Sequence, residues 1–225
     1  MEILEKFKLS NLQKEQFQTY YQELVDYNEK VNLTAITDKE EVFIKHFYDS
    51  LLGVDYIPQN ASVVDIGTGA GFPGLPLKIA RKDISLTLVD SLNKRIEFLK
   101  YITNKINIKC ECIHSRAEDF ASVKREVFDV AVSRAVANLS TLCEYTLPLV
   151  KIGGLFISYK GSNIDEELNS AKKAISILGG KIKEIIKLSL PNDLGERNLI
   201  IIEKIKNTPT QYPRKGNLPK SRPIA

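Results

Sequence analysis

The segment Asp65–Gly74, which reads D-I-G-T-G-A-G-F-P-G, limits more than any other feature how this chain can fold. It follows the apolar, strand-like run Ser62-Val63-Val64, and a second apolar run, Ile84–Val89, ends in Asp90. This order predicts a strand, a glycine-rich turn, a helix whose free N–H groups point at the turn, and a second strand. Glycines let the backbone approach a ligand closely, and an acid after the second strand can accept hydrogen bonds from ribose hydroxyls. The segment therefore indicates a site for an adenosine-containing cofactor.

Strand-like and helical segments alternate along the rest of the chain. The strand-like runs are 63–66, 84–89, 108–113, 127–132, 155–159, 182–188 and 199–205, and the helical segments are 76–81, 92–104, 135–150 and 164–178. Strands with helices between them predict right-handed crossovers and a mostly parallel sheet. Only 191–196 separates the last two runs, which is too short for a helical crossover, so these runs should form an antiparallel hairpin. Gly153-Gly154 and Gly179-Gly180 are each expected to end a helix and lead into a strand.

Two helices are predicted before the first strand. Ser10-x-x-Gln13 is a capping box, and the apolar residues after it recur at helical spacing, which predicts a helix over about 11–30. Thr37-x-x-Glu40 is a second capping box that predicts a helix carrying Val42 to Leu52. We therefore expect an N-terminal helical extension of residues 1–60 packed on a core domain of residues 61–206, followed by a basic tail of residues 207–225.

The charge of the chain is unevenly distributed. The net charge of its 225 residues is only +4, yet residues 1–60 are acidic, and residues 207–225 contain four basic residues and no acidic ones. A basic end on a weakly basic protein suggests contact with a polyanion, and a solvated tail is the alternative interpretation.

Composition also excludes several classes of protein. The chain has three cysteines and two histidines without the spacing of a common zinc site, so we expect no metal. The N-terminus has no apolar signal-peptide core, and no apolar run approaches the ~18 residues of a membrane helix. We therefore expect a cytoplasmic protein without membrane contact.

The glycine loop fits the patterns of two cofactor classes. Gly69-x-Gly71-x-x-Gly74, with Asp90 about 20 residues further on, matches a dinucleotide pattern, and an NAD-dependent oxidoreductase remains an alternative. However, the strand reaches its turn at Gly67, and prolines at 73 and 76 remove N–H donors that a pyrophosphate would need. S-adenosylmethionine has no phosphate, and Asp65 could help to hold its ammonium group. The loop therefore favours S-adenosylmethionine.

The wider sequence resembles one family. The stretch 65–77 is similar to the RsmG (GidB) family of 16S rRNA methyltransferases, and so are Asn32–Ile36, His46 with Asp49–Leu51, Arg116–Glu118, Ser133–Ala137, Lys160–Gly161 and Tyr212–Gly216 with Pro219-Lys220. The resemblance covers nearly the whole chain. It implies a Rossmann-like methyltransferase fold and S-adenosylmethionine-dependent methylation of N7 of a guanosine in 16S rRNA, on naked RNA or in the small ribosomal subunit. A small-molecule methyltransferase of the same fold and a non-catalytic RNA-binding module are the alternatives.

Candidate site residues follow from the residues and the resemblance together. The resemblance implies cofactor contacts at Gly67, Phe72, Ala117, Glu118 and Arg134, to which the loop and strand pattern adds Asp65, Gly69, Gly71 and Asp90. Asn32, His46 and Asp49 are candidates for the base-binding side, and Arg134, Asn32 and His46 are the candidates for a catalytic role. Phosphate contacts are predicted for Lys160, Arg197, Arg214, Lys215 and Lys220. We expect a monomer.

Three of these candidates have plausible structural roles. Glu118 could begin a helix, Arg134 could be an ion-pair partner, and His46 could form a hydrogen bond with Asp49 or Ser50. N7 of guanine carries a free lone pair, so its methylation requires no general base. The chemistry should therefore depend mainly on positioning.

Overall fold

The computed structural model describes residues 2–134 and 136–224. Its centre is a seven-stranded sheet with the order β3-β2-β1-β4-β5-β7-β6. The strands are β1 (Ser62–Ile66), β2 (Ser85–Asp90), β3 (Glu111–His114), β4 (Phe128–Arg134), β5 (Val150–Lys160), β6 (Gly180–Ser189) and β7 (Glu196–Lys204). Strands β1 to β5 pair in parallel, whereas β7 is antiparallel to both β5 and β6. The predicted mostly parallel sheet with a C-terminal antiparallel hairpin is confirmed.

Helices cover both faces of this sheet. They are α1 (Asn11–Val31), α2 (Lys39–Val42), α3 (Asp49–Leu51), α4 (Gly74–Ala80), α5 (Asn93–Lys105), α6 (Ala117–Val123), α7 (Leu139–Thr146), α8 (Asp165–Ile177) and α9 (Leu218–Ser221). The sequence pattern did not predict α6, whose two turns are too short to repeat an apolar stripe. The helix expected over 135–150 is shorter in the structure. Asn138 caps it by accepting a hydrogen bond from the backbone of Thr141, and Ala135 lies outside the described residues.

The expectation for Gly153-Gly154 is wrong. Both glycines lie inside β5, where the pairing with β4 shifts register between Phe128 and Val130. Gly153 has φ +85°, and a Cβ on Gly154 would lie 2.6 Å from the carbonyl oxygen of Asp129. The pair therefore accommodates a bulge and not a helix end. Gly179 does follow α8 with φ +89°, and β6 begins at Gly180, as predicted.

The N-terminal segments pack on the sheet as helices. The capping box before α1 is confirmed, because Ser10 and Gln13 each bond the backbone of the other. The second helix begins one residue later than expected: Asp38, and not Thr37, accepts the capping hydrogen bond, from Glu41. A π-helical segment, Phe43–Tyr48, follows α2 and leads into α3. Such segments are rare and frequently occur at functional sites.

Two apolar cores lie on opposite faces of the sheet, because successive strand residues point to opposite sides. One contains Val63, Val130 and Ile157 and includes Phe17 and Phe47 from the N-terminal segments. The other contains the neighbouring strand residues and packs against α7 and α8. The N-terminal helices thus share a core with α4 and α5. Within the described ranges, no helix combines the length and apolar character needed to cross a membrane.

Candidate cofactor and substrate site

Two cavities open at the edge of the sheet where the parallel strands end. The first has a volume of about 180 Å³ and is lined by Ile66, Gly67, Val89, Asp90, Ser91, Ser115, Arg116, Ala117, Glu118, Val136, Ala137, Tyr145 and Lys220. The second has a volume of about 430 Å³ and is lined by Ile36, Lys45, His46, Asp49, Arg134, Tyr159, Lys160, Gly161 and Arg197. Chain order reverses between β1 and β4, and ligands of open α/β sheets bind at such a switch point. Larger cavities of about 610 and 830 Å³ lie elsewhere, against the N-terminal segment.

The glycine loop adopts a conformation that only glycine tolerates well. Gly67, Gly69 and Gly71 have φ values of +69°, +62° and +106°. A Cβ on Gly71 would lie 2.5 Å from the hydroxyl oxygen of Tyr20, which donates a hydrogen bond to the carbonyl of Ala70. Helix α1 therefore holds the loop from one side. A Cβ on Gly67 would lie 2.5 Å from a methyl carbon of Val136, so the segment after β4 closes on the loop from the other side.

Asp65 lies beneath the loop, away from the lining of both cavities. Its Oδ2 accepts hydrogen bonds from the Thr68 hydroxyl at 2.7 Å and the Gly74 backbone N–H at 2.8 Å. The carboxyl is completely buried, and this burial raises its pKa to about 7. The structure thus gives Asp65 the role of fastening the loop to α4. A contact with a cofactor ammonium stays a prediction.

The start of α4 has no free N–H group for a phosphate. The Gly74 N–H bonds Asp65, the Leu75 N–H bonds the Gly71 carbonyl, residue 76 is proline, and the Leu77 N–H bonds the Pro73 carbonyl. The expectation that this helix directs free donors at a ligand is therefore wrong. A dinucleotide needs such donors for its pyrophosphate, so the geometry argues against that cofactor class.

Asp90 joins the loop to the first cavity. Its Oδ2 accepts from the Gly69 N–H at 2.9 Å, its Oδ1 accepts from the Leu92 N–H at 3.0 Å, and Arg95 lies 3.2 Å away as an ion-pair partner. Arg95 Nη1 donates to Oδ2 at 3.2 Å but lies 3.5 Å from Oδ1, so Oδ1 keeps the more open acceptor site for a hydroxyl group. The position at the end of β2 suits the predicted role with a ribose.

Glu118 supplies the second carboxylate of this cavity. It lies in the first turn of α6, which follows β3, and its Oε1 accepts a 2.6 Å charged hydrogen bond from Arg116. Its expected structural role at a helix start is therefore observed, yet the carboxylate also lines the cavity together with Ala117. A carboxylate here can accept a hydrogen bond from an exocyclic amino group such as that of adenine.

These residues fit an adenosine group without phosphates. The first cavity offers two carboxylates to hydroxyl and amino donors, and Gly67 contributes no side chain. Its volume is below the 300–1,000 Å³ of ordinary ligand pockets, and Val136 and Ala137 form part of the wall.

The second cavity is organised around Asp49 of α3. Arg134, at the end of β4, donates to Asp49 Oδ2 at 2.9 Å and to the backbone carbonyl of Lys45 at 3.0 Å. Arg197 of β7 places its Nε 3.1 Å from Asp49 Oδ1. The Asp49 side chain is only 3% exposed, so its charge is balanced by two guanidinium groups and not by water. Arg134 thus has the ion pair that its structural interpretation predicted, and it also lines the cavity.

His46 lies in the π-helical segment at the wall of the second cavity. Its Nε2 is 2.9 Å from the Thr34 hydroxyl, and its Nδ1 is 3.3 Å from Arg134. Burial, together with the charge of Arg134, lowers the pKa of His46 to about 3, so the imidazole is neutral at neutral pH. Its ring stacks on Phe72 with 4.6 Å between the ring centroids.

Phe72 and Asn32 do not reach either cavity directly. Phe72 is buried, stacks on Tyr20 as well as on His46, and has the Arg134 guanidinium 5.1 Å above its ring. It connects the loop to the substrate side through packing, and its cofactor contact stays a prediction. Asn32 ends α1 in a left-handed conformation, φ +51°, and is exposed. Its role with a base also stays a prediction.

Three of the predicted phosphate-binding residues are paired with carboxylates, and the other two are exposed. Lys160 and Arg197 line the second cavity, but Lys160 forms a 2.6 Å ion pair with Glu167 and Arg197 approaches Asp49. The Arg214 guanidinium forms three charged hydrogen bonds with Glu144. Lys215 and Lys220 are exposed, and Lys220 also lines the first cavity. To contact a phosphate, Lys160, Arg197 and Arg214 must either share their N–H donors between the phosphate and these carboxylates or leave the carboxylates.

Sequence reasoning missed Tyr159 and Tyr145. Tyr159 is almost fully buried at the end of β5 and donates a hydrogen bond to the Ser50 carbonyl, while its ring lines the second cavity. Its position next to Lys160 at a strand end could have identified it. Tyr145 lies within α7, where no local pattern distinguishes it from a core residue.

Comparison with known proteins identifies the family. A family model described as rRNA small subunit methyltransferase G matches residues 13–200. The ribosomal RNA small subunit methyltransferase G of Staphylococcus carnosus (strain TM300) is 49% identical over 222 residues, which cover 96% of this chain and 92% of the relative. The protein of the same name from Desulforamulus reducens is 51% identical over 225 residues, 98% of this chain and 94% of the relative.

The fold agrees with that of solved methyltransferases. The crystal structure of a SAM dependent methyltransferase from Aquifex aeolicus superimposes with a TM-score of 0.55 at 14% identity, over 74% of this chain and 94% of that one. At this identity the likeness concerns the fold alone. The family model and both relatives span most of the sequence, and the chain therefore belongs to the family of ribosomal RNA small subunit methyltransferases G.

Proposed function

We propose that this chain transfers a methyl group from S-adenosylmethionine in the first cavity to N7 of a guanosine of 16S rRNA in the second cavity. One observation carries the proposal: the two cavities lie side by side, separated by the segment that follows β4. Val136 and Ala137 line the first cavity, Arg134 lines the second, and the Ala137 carbonyl accepts a hydrogen bond from Lys160 of the second. A methyl group held at this boundary would face a base in the second cavity.

Positioning and charge can account for the chemistry. When bound, S-adenosylmethionine supplies an electrophilic methyl group on a positively charged sulfur. N7 of guanine offers a lone pair and loses no proton on methylation, so the protein need not provide a base. A neutral His46 and an Asp49 held by two arginines suit that requirement, because neither has to exchange a proton. These side chains orient the base, and orientation can supply several kcal/mol of the barrier.

The N-terminal extension lines only the second cavity, which it shares with the core domain. The extension of residues 1–60 contributes Lys45, His46 and Asp49 to the second cavity, whereas residues 61–206 supply the loop, Asp90 and Glu118. We infer that the extension selects the base while the core domain holds the methyl donor.

Binding of RNA requires the target base to be accessible. An A-form helix buries the major-groove edge that carries N7, so the guanosine must lie in a loop or be turned out of its stack. We expect Lys160 and Arg197, which line the second cavity, to contact its phosphates, and Arg214, Lys215 and Lys220 to extend the basic surface along the tail. We expect the protein to act as a cytoplasmic monomer on the small ribosomal subunit or its RNA.

Loss of the gene provides the direct test. Methylated guanosines in 16S rRNA are mapped in cells with and without the gene, and small subunits from the deletion strain are then incubated with the purified protein and labelled S-adenosylmethionine. We expect one N7-methylguanosine to disappear in the deletion strain and to return in vitro. An unchanged methylation map would refute the RNA substrate. Calorimetric titrations with S-adenosylhomocysteine and NADH separately test the cofactor, and binding of NADH alone would support the oxidoreductase alternative.

A further inference from the structure

The C-terminal tail forms part of the wall of the first cavity. The family model ends at residue 200, so residues 207–225 lie beyond the part of the chain that it matches. In the structure this tail folds back over α7 and forms the short helix α9. Lys220 of α9 lines the first cavity together with Glu118 and Tyr145. A segment expected to serve only RNA binding therefore also borders the cofactor side.

Buried contacts fix the position of this tail. Glu144 of α7 is fully buried, and both of its oxygens accept hydrogen bonds from the Arg214 guanidinium, at 2.6 and 2.9 Å. Thr141 of the same helix donates a hydrogen bond to the backbone carbonyl of Pro219, the residue before Lys220, at 2.8 Å. Helix α7 also carries Tyr145, so Lys220 and Tyr145 reach the cavity from one rigid unit. Partnered buried charges of this kind are costly to separate.

The charges around the cavity leave Lys220 as a free donor. Asp90 is paired with Arg95, and Glu118 is paired with Arg116. None of the ion pairs between described residues includes Lys220. Lys220 and Glu118 therefore line the same cavity, and the Glu118 carboxylate already has a cationic partner. Adenine presents the matching chemistry, because it has an amino group that donates and ring nitrogens that accept.

We propose that Lys220 is a cofactor-binding residue whose ammonium donates a hydrogen bond to a ring nitrogen of the adenine while Glu118 accepts from the adenine amino group. The proposal rests on the proposed function, since it assigns the adenosine end of S-adenosylmethionine to the first cavity. It makes the tail a component of the cofactor site. A phosphate of the RNA backbone is the competing partner for Lys220, and the test separates the two.

The test measures cofactor binding and RNA binding separately in the full-length protein. Calorimetry determines the affinity for S-adenosylhomocysteine and for 5′-methylthioadenosine, which lacks the amino-acid end. We expect Lys220→Ala to weaken both ligands by about tenfold, because a charge-assisted hydrogen bond is lost, and Lys220→Arg to restore part of the affinity. Arg222→Ala is the matched control. It removes an exposed positive charge two residues away that does not line the cavity, and both affinities should stay at the wild-type value.

Three results would overturn the assignment. Wild-type affinity of Lys220→Ala for both ligands excludes a contact with adenine. A loss confined to RNA affinity makes Lys220 a phosphate contact. If Arg222→Ala weakens the binding of both ligands as much as Lys220→Ala does, the effect comes from the overall positive charge of the tail and not from a contact with adenine. The thermal midpoint of each variant shows whether the tail is still docked, and Lys220→Met, which keeps the aliphatic stem, replaces Lys220→Ala if docking is lost. If the wild-type protein itself binds neither ligand, the proposed function fails and not the role of Lys220 alone.

Discussion

At the scale of single residues, position relative to the cavity decides what each buried acid near the loop does. Asp65 and Asp90 both occur at strand ends in the sequence, where either could contact a ligand. The structure buries Asp65 under the loop with the Thr68 hydroxyl and the Gly74 N–H, while Asp90 remains at the cavity wall. Sequence could place both acids near the loop, because strand ends are predictable. It could not assign their roles, because the depth of a side chain depends on the whole packed fold.

Because of Asp65, the free energy of unfolding should fall as the pH rises. Its pKa is about 7 in the folded protein and 3.8 in its ordinary state, so between these values the native state binds a proton that the unfolded chain has lost. The stabilisation is complete below about pH 4 and is lost as the pH rises through 7. Asp65→Asn keeps an acceptor oxygen but has no proton to lose. Between pH 5 and pH 8, the unfolding free energy of the wild type should therefore fall relative to that of the variant by about 2–3 kcal/mol.

Urea unfolding of both proteins at the two pH values measures this difference. Because every other titrating group is shared, subtraction of the two pH profiles isolates Asp65. A gap between wild type and variant that is the same at pH 5 and pH 8 would mean that Asp65 is ionised throughout this range.

At the scale of secondary-structure elements, the second cavity exists because three elements meet at one carboxylate. Asp49 comes from α3, Arg134 from β4 and Arg197 from β7. The alternation of apolar runs predicts β4 and β7, and the first capping box predicts α1. Neither pattern predicts the π-helical segment that turns His46 toward Phe72, because one widened turn leaves the spacing of the apolar residues almost unchanged. Nor does local sequence reveal that residues 49, 134 and 197 converge, since only the sheet order brings them together.

Replacing Asp49 should uncouple RNA methylation from cofactor binding. Asp49→Asn leaves two arginines without their buried counter-charge, which we expect to cost about 3 kcal/mol of stability and most of the methylation rate. The affinity for S-adenosylhomocysteine should change little, because Asp49 lines only the second cavity. Denaturant unfolding, calorimetry and a methylation assay on small ribosomal subunits measure the three quantities.

Glu41→Gln is the control: it breaks a partly exposed ion pair with Lys45 on the same stretch of chain and should cost less than about 1 kcal/mol of stability. An equal loss of cofactor affinity and of methylation in Asp49→Asn would contradict two separate cavities.

At the scale of the whole molecule, charge is arranged around the edge of the sheet that carries both cavities. Lys45, Arg134, Lys160 and Arg197 line the second cavity, and the tail brings Lys220 to the first. Composition predicts a basic C-terminus, but it cannot tell a solvated tail from a docked one. The distinction depends on Glu144, a buried acid on α7 whose partner, Arg214, lies 70 residues further along the chain.

If the docked tail contacts RNA, the affinity for RNA should depend on the salt concentration. RNA affinity should fall steeply with salt, because neutralised phosphates release counterions, whereas affinity for S-adenosylhomocysteine should be nearly independent of salt. Lys215→Ala removes one predicted phosphate contact, so it should weaken RNA binding and reduce the slope of log affinity against log salt by about 1. Lys124→Ala removes the same charge from an exposed residue between α6 and β4, at the opposite edge of the sheet, and should leave the slope unchanged. Filter binding of 16S rRNA fragments between 50 and 200 mM salt, roughly the range over which such contacts respond, gives the slopes. If both variants shift the slope equally, net charge and not the docked tail controls RNA binding.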